Sequence, residues 1–352
     1  MRIAQIAPLF EAVPPKLYGG TERVVSWLTE ELVEMGHEVT LFASGDSLTS
    51  AKLDAPWPRA LRLDPDVRDW VATYTLMVEY VRRRAHLFDV LHFHIDYWPN
   101  SLFSRQDVPF VTTLHGRLDL PEFAAAYRLF PEVPVVSISD NQRRPLPDIG
   151  WARTVYHGLP ANLLTPQPVE KHDYLAFLGR ICPEKGIERA IQIASRVGMK
   201  LKVAAKVDKA DAEYFKAEVE PLLADSNVEF IGEINDAQKP AFLSGAKAVL
   251  FPIDWPEPFG LVMIESMACG CPVIAMRRGS VPEVMDDGIS GFVVENVDEA
   301  VAAFARIDQL DRGRVRAQFE KRFTSRRMAE DYVSLYQRLI DAKKPLLRAV
   351  GD

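Results

Sequence analysis

Two glutamates eight positions apart, Glu257 and Glu265, bracket the turn Pro258-Phe259-Gly260 and the apolar run Leu261-Val262-Met263-Ile264. A Pro-Phe-Gly turn ahead of such a run reads as the entry to a helix. Glu257 then stands just before the helix and Glu265 within it. If continuous, eight helical residues rise about 12 Å, close to the span of a sugar, a diphosphate and a ribose. Carboxylates at that spacing suit hydroxyl groups at the two ends of such a molecule. Glu257 would take the sugar and Glu265 the ribose, both as hydrogen-bond acceptors rather than as acid and base. Two solvated surface glutamates would leave the turn between them unexplained.

Cations are spaced to match. In Gly179-Arg180-Ile181-Cys182-Pro183-Glu184-Lys185-Gly186, Arg180 and Lys185 leave a strand end together, ahead of a helix. Two fixed cations there suit a diphosphate, through charge-assisted hydrogen bonds worth about 1.5–3 kcal/mol each. The plainer alternative is an exposed basic pair on a solvated loop. Near the N-terminus, Tyr18-Gly19-Gly20-Thr21-Glu22-Arg23 lies between a strand and a helix. Its glycines let backbone approach a ligand, and a helix start offers N–H groups to an anion; a flexible turn with Thr21 as N-cap is the alternative. In His92-Phe93-His94-Ile95-Asp96, alternate strand residues point the same way, as metal ligands do. A neutral histidine pair, packed or facing an acceptor, is the favoured reading, and no metal site is expected. Cys269-Gly270-Cys271 lacks the second Cys/His pair that a zinc site needs. Neither G-x-G-x-x-G after the first strand nor G-x-x-x-x-G-K-[ST] occurs, which argues against nicotinamide enzymes and P-loop kinases.

The elements that must position these residues alternate along the chain. Strands are expected at 2–7, 38–43, 89–95, 109–115, 133–139 and 153–156, with a helix over 21–35 whose Val24, Leu28, Leu32 and Met35 share one face. Residues 157–172 break the rhythm, with Pro160, Pro166 and Pro168 in a polar stretch that reads as a linker. Strands resume at 173–179, 200–205, 228–231, 248–252 and 272–276, with a helix over 184–197 and a last helix from about 325 to 342. Two βαβ series imply an α/β protein of two doubly wound parallel-sheet domains, with ligands at the carboxyl ends of the strands and the cleft between the domains as the default site.

Composition agrees. A chain of 352 residues suggests two domains at roughly 150 residues each. Hydrophobic residues make up 48% and charged residues 26%, which excludes disordered, collagen-like and coiled-coil chains. A net charge of −7 disfavours a nucleic-acid binder. No apolar run reaches about eighteen residues, so no membrane span is expected, and Met1–Pro8 is too soon broken for a signal peptide. Residues 1–160 carry 16 Lys and Arg against 20 Asp and Glu. This acidic balance disfavours a peripheral membrane dock through Arg82-Arg83-Arg84. Three cysteines, Cys182, Cys269 and Cys271, are too few for a disulfide framework and point to the reducing cytoplasm.

Taken together, the motifs resemble those of the retaining glycosyltransferases of family 4. Glu257 and Glu265 match its E-x(7)-E pattern. Gly179-Arg180 with Glu184-Lys185-Gly186 matches its diphosphate-binding segment, and Gly19-Gly20 with Glu22 its first loop. Thr113-Leu114-His115-Gly116 matches its strand-end histidine. Gly270-Cys271-Pro272-Val273-Ile274, Glu283-Val284 and Gly288 to Phe292 match its C-terminal signature. The matches run from the N-terminus to about residue 295. Residues Phe251 to Val284 most resemble a subgroup that includes an antibiotic-tailoring transferase.

The resemblance implies a GT-B fold: two facing Rossmann-like domains and a C-terminal helix crossing back to the first. The corresponding boundaries are an acceptor domain at 1–160, a linker at 161–172, a sugar-nucleotide domain at 173–324 and the returning helix at 325–352. It implies metal-independent transfer of a hexose from a nucleoside-diphosphate sugar, with retention, to a glycan, lipid-linked glycan or small-molecule acceptor. No further cofactor is implied, and uridine is the family's commonest base. Arg180 and Lys185 would stabilise the leaving diphosphate. The His115 carbonyl would lie near the anomeric carbon. Backbone N–H groups of Phe259, Gly260 and Leu261 would meet the sugar or phosphate, and the loop of Gly232 and Ile234 the base. Glu22, His92 and His94 would face the acceptor. The chain departs from the family pattern at Ala204-Ala205-Lys206-Val207, where a glycine-rich turn is common, and at Gly279-Ser280 and His157-Gly158. Sugar-nucleotide epimerases, glycan phosphorylases and non-catalytic sugar-nucleotide binders share the fold and stand as alternatives.

Overall fold

The computed structural model describes residues 1–16, 19–224 and 227–343. Tyr18 of the first loop motif lies outside the described residues, as do 344–352 of the C-terminal segment. The chain divides into two units. The first combines Met1–Ile138, Arg143–Tyr156 and the segment from Ser325 onward; the second combines Ser139–Gln142 with His157–Thr324.

Seven parallel strands form the sheet of the first unit. They are β1 (Arg2–Ile6), β2 (Glu38–Ser44), β3 (Lys52–Trp57), β4 (Val90–Phe93), β5 (Phe110–Thr113), β6 (Val135–Ser137) and β7 (Trp151–Thr154), in the order β3-β2-β1-β4-β5-β6-β7. The order reverses between β1 and β4, so their carboxyl ends diverge into a crevice, the usual ligand position of such a sheet. Strand periodicity sorts the side chains. Ala4 and Ile6 of β1 join Leu91 and Phe93 of β4 in a core with Phe42, Met77 and Phe103. Gln5 and His92, paired in register, point to the opposite face. The last helix, Ser325–Lys343, packs on the first unit against the helix Gly20–Glu34 and against β4.

The second unit holds β8 (Tyr174–Arg180), β9 (Lys200–Lys206), β10 (Val228–Gly232), β11 (Ala246–Phe251), β12 (Val273–Met276) and β13 (Gly291–Val294) in one parallel sheet, ordered β10-β9-β8-β11-β12-β13. Its reversal falls between β8 and β11. Residues 161–172 lie along this unit: Arg316 donates to the carbonyls of Ala161 and Leu164, each at 2.7 Å, and the Gln167 N–H donates to the Ser244 hydroxyl at 3.0 Å.

Several local expectations are corrected. β3 was not foreseen, because Lys52-Leu53-Asp54-Ala55-Pro56-Trp57 lacks an apolar alternation; it is an edge strand, where Pro is tolerated. β13 opens on Gly291 and was likewise unread. The first helix starts at Gly20 with Gly19, not Thr21, at its cap. The helix expected from Glu184 starts at Ile187, because Gly186 adopts φ 68° and Pro183–Lys185 form a separate 3-10 turn. The helix behind Glu257 runs only from Leu261 to Ala268, so the two glutamates do not share one continuous helix.

Candidate functional site

In the second unit, the loops leaving β8 and β11 come together at the strand-order reversal. The Asp254 N–H donates to the Glu184 carbonyl at 2.9 Å, and Arg189 donates to the Pro252 carbonyl at 2.7 Å. This brings Lys185 onto Glu257, and the ammonium donates to the carboxylate. The Trp255 indole N–H donates to the same carboxylate at 2.8 Å. The Lys185 ammonium also lies 5.2 Å from the Trp255 ring centre and 5.9 Å from that of Phe251. A cation and a carboxylate held at this sheet position present one group for phosphate and one for hydroxyls.

Arg180, the last residue of β8, turns the other way. Its guanidinium lies 3.6 Å from Asp211 and 3.8 Å from Asp208, on the loop after β9. The two cations that the sequence places together thus leave the same strand end but face different neighbouring loops. Gly179 precedes Arg180 at φ 154°.

The Glu257–Gly260 turn is braced from one side. The Ser280 N–H donates to the Glu257 carbonyl at 3.0 Å, and its hydroxyl donates to the Phe259 carbonyl at 2.7 Å. Gly279 sits at φ 55°, and a Cβ there would lie 2.3 Å from the Glu257 nitrogen. Gly279 is what allows this close approach, and Ser280, where the chain departs from the family pattern, supplies the hydroxyl bond to Phe259. Gly260, at φ 80°, caps the helix that begins at Leu261, where the first N–H groups have no intrahelical acceptor. Phe259 is buried against His157, with ring centres 4.9 Å apart.

Glu265 is buried in that helix and accepts from Lys239 at 2.6 Å; Lys239 also lies 3.1 Å from Asp236. Gly232 and Ile234 begin the loop that ends at Lys239, so the expected base-binding loop reaches Glu265 through this lysine. Sequence reading missed Lys239. The only signal was an i,i+3 Asp-Lys pair at a helix start, which says nothing of Glu265.

In the first unit, Gly19 and Gly20 open the helix that carries Glu22. Glu22 is only 6% exposed. Burial is the main force pushing its carboxyl up to about 7; the charge of Glu11 adds to the rise and Arg62 opposes it. Glu11 itself pairs with Arg62 at 2.9 Å. His92, His94 and His115 share one sheet face, with His92 and His94 ring centres 4.0 Å apart and His94 and His115 5.1 Å apart. Burial lowers the His115 imidazole to about 3 and that of His92 well below its usual range. Asp96 does not join them: β4 ends at Phe93 and Asp96 takes φ 50°. Among the described residues no three His, Cys, Asp or Glu side chains converge as a metal set. Cys269 and Cys271 are free and buried.

Gln5, Thr113, Tyr332 and Tyr336 complete a buried polar network around these histidines; the sequence reading names Thr113 only within the strand-end motif and gives none of the four a polar role. The available signal was a glutamine inside an otherwise apolar strand.

Two family models match the chain: Glycosyltransferase Family 4 over residues 18–166 and Glycosyl transferases group 1 over residues 165–326. A phosphatidyl-myo-inositol mannosyltransferase of Mycolicibacterium smegmatis is 28% identical, covering 93% of this chain and 89% of the relative. Among solved structures, AviGT4, a glycosyltransferase involved in avilamycin A biosynthesis, superposes with a TM-score of 0.73 at 23% identity, over 97% of this chain and 98% of its own. The Anabaena protein HepE in complex with UDP gives 0.74 at 18% identity, over 96% and 100%. No helix among the described residues is long and apolar enough to cross a membrane.

Proposed function

The chain belongs to the glycosyltransferases of family 4 and group 1, with the GT-B type of fold, and from that premise we propose that it moves a hexose from a nucleoside-diphosphate sugar to an acceptor hydroxyl, with retention and without a metal ion. The observation that carries the reading is the Lys185–Glu257 pair at the strand-order reversal of the second unit. We assign the donor to the second unit, and the acceptor, with His115, to the first. HepE, with UDP bound, supports uridine as the base. The three free, buried cysteines support the reducing cytoplasm as the location.

In this mechanism Lys185 and Arg180 meet the diphosphate, whose negative charge grows as the bond from the anomeric carbon to the phosphate oxygen breaks. Fixed cations lower the barrier because they are oriented before the charge develops. Glu257 accepts from sugar hydroxyls, with Trp255 holding the carboxylate in place, and Glu265 accepts from the ribose. Backbone N–H groups at Phe259, Gly260 and Leu261 meet the sugar or phosphate. Gly19, Gly20 and Gly179 give the backbone its close approach, and the loop of Gly232 and Ile234 takes the base. Glu22, His92 and His94 stand toward the acceptor. The acceptor oxygen attacks from the face the diphosphate leaves, and its proton passes to the departing phosphate oxygen, so no carboxylate nucleophile is required.

Incubation with UDP-, GDP- and ADP-sugars, one at a time, followed by proton NMR, tests the reading. Consumption of one donor, releasing first the same anomer, is expected. Epimerised donor without acceptor would move the protein to the epimerases. No consumption and no shift on binding would remove the transferase reading.

A further inference from the structure

The histidine network has a direction. Gln5 donates from Nε2 to the Tyr336 oxygen at 3.0 Å, and its Oε1 lies 2.8 Å from His94 Nε2. A carbonyl oxygen only accepts, so His94 carries hydrogen on Nε2. A neutral His94 has that one N–H, and its Nδ1 is then an acceptor. That Nδ1 lies 2.9 Å from His115 Nε2, which must donate. On the other branch, the Tyr336 hydroxyl, which accepts from Gln5, lies 2.6 Å from His92 Nδ1. His92 Nε2 lies 2.7 Å from the Thr113 hydroxyl, and Thr113 lies 2.8 Å from the Tyr332 hydroxyl. Gln5, His92, Thr113, Tyr332 and Tyr336 are each no more than 2% exposed.

We propose that Gln5 and Tyr336 are positioning residues for the transfer: acting through His94, they hold His115 as the tautomer protonated on Nε2, with Nδ1 as its acceptor. This rests on the reading above that assigns His115 to the reaction. Strand and helix periods build the device. Gln5 lies beside His92 in register, His94 and His115 follow His92 and Thr113 by two positions, and Tyr332 and Tyr336 are one helical turn apart. The backbone at this point is also tied, since the Leu114 N–H donates to the Val136 carbonyl at 3.0 Å. The His115 ring is therefore held at Nε2 by His94, and the main chain just before it is held through Leu114. A second-layer partner that fixes an imidazole's tautomer also fixes its orientation. Misplacing a reacting group by about 1 Å costs up to about a hundredfold in rate.

The test uses the full chain with 15N-labelled histidine. Long-range proton–nitrogen NMR reads the His115 tautomer without any substrate, and steady-state kinetics follow on the donor the protein consumes. The wild type is expected to show His115 protonated on Nε2. Gln5→Leu removes both partners, and a mixed or Nδ1-protonated His115 is expected, with kcat about a hundredfold lower and donor KM within about threefold. Tyr336→Phe deletes one oxygen, keeps the fold testable if Gln5→Leu does not fold, and should lower kcat about tenfold. His115 protonated on Nδ1 in the wild type overturns the proposal, as does an unchanged tautomer or unchanged kcat in Gln5→Leu and Tyr336→Phe. An Nε2-protonated His115 in a wild type that turns over no donor would instead sink the transferase reading and leave the tautomer assignment standing.

Discussion

Replacing Glu22 with Gln should stabilise the first unit, by an amount that grows as pH rises from about 4.5 to about 7 and is full above it. In the native protein this carboxyl is buried beside Glu11 and is raised from 4.5 to about 7. The folded state therefore holds its proton longer than the unfolded state does. Its contribution is fully present below the unfolded value of 4.5 and is lost as pH rises through about 7. At about 1.4 kcal/mol per pKa unit, the loss is about 3 kcal/mol at pH 8 and under about 1 kcal/mol at pH 5. At 6% exposure there is little solvent to screen the effect. Glutamine keeps the shape and has no charge to bury. For a unit of this size, 1 kcal/mol moves the melting temperature by about 2–4 °C. Calorimetry should thus find Glu22→Gln melting about 6–12 °C above the wild type at pH 8 and within about 3 °C at pH 5. An equal gap at both pH values, or a lower melting temperature for the variant at pH 8, would refute the reasoning.

Lys239→Met strips the partner from Glu265 where the two side chains are 10% and 5% exposed; urea unfolding should show about 3–5 kcal/mol lost, largely regained in Lys239→Met/Glu265→Gln. If the double variant is no more stable than the single, the pair is not what holds Glu265. Arg180→Ala and Lys185→Ala should each cut turnover at least about a hundredfold, and near-normal rates in both would end their assignment to the diphosphate. Gly279→Ala would set a Cβ 2.3 Å from the Glu257 nitrogen and push the turn aside; kcat should fall by about tenfold or more, and unchanged kinetics would show that the turn tolerates displacement.

Most strands were legible because buried parallel strands are short apolar runs between helical patterns. β3 was not, since an edge strand carrying Pro56 and Asp54 has no such run. The start of the helix at Ile187 was misread because Gly186 takes a left-handed backbone there, which a glycine permits but does not require. At the site, glutamate spacing and the two cations could be read, but their partners could not. Lys185 and Glu257 are 72 positions apart and meet because β8 and β11 are neighbours, a fact of sheet order rather than of either segment. The same holds for Gln5 and Tyr336, 331 positions apart. An isolated polar residue in an apolar strand signals that a partner exists, not which one.

The return of the last helix to the first sheet also sets a schedule for synthesis. Tyr332 and Tyr336 leave the ribosome only after the whole of His157–Thr324 has been made. At about 5–20 residues per second that is a delay on the order of ten seconds or more. Until then Gln5, His92 and Thr113 have no tyrosine hydroxyls to meet, and the part of the sheet face beneath the last helix is uncovered. The second unit, whose main segment is continuous in the chain, can be complete first, so maturation runs against the order of translation. A chain released before residue 336 would carry a finished second-unit sheet and a first-unit sheet still open to chaperones and proteases on that face.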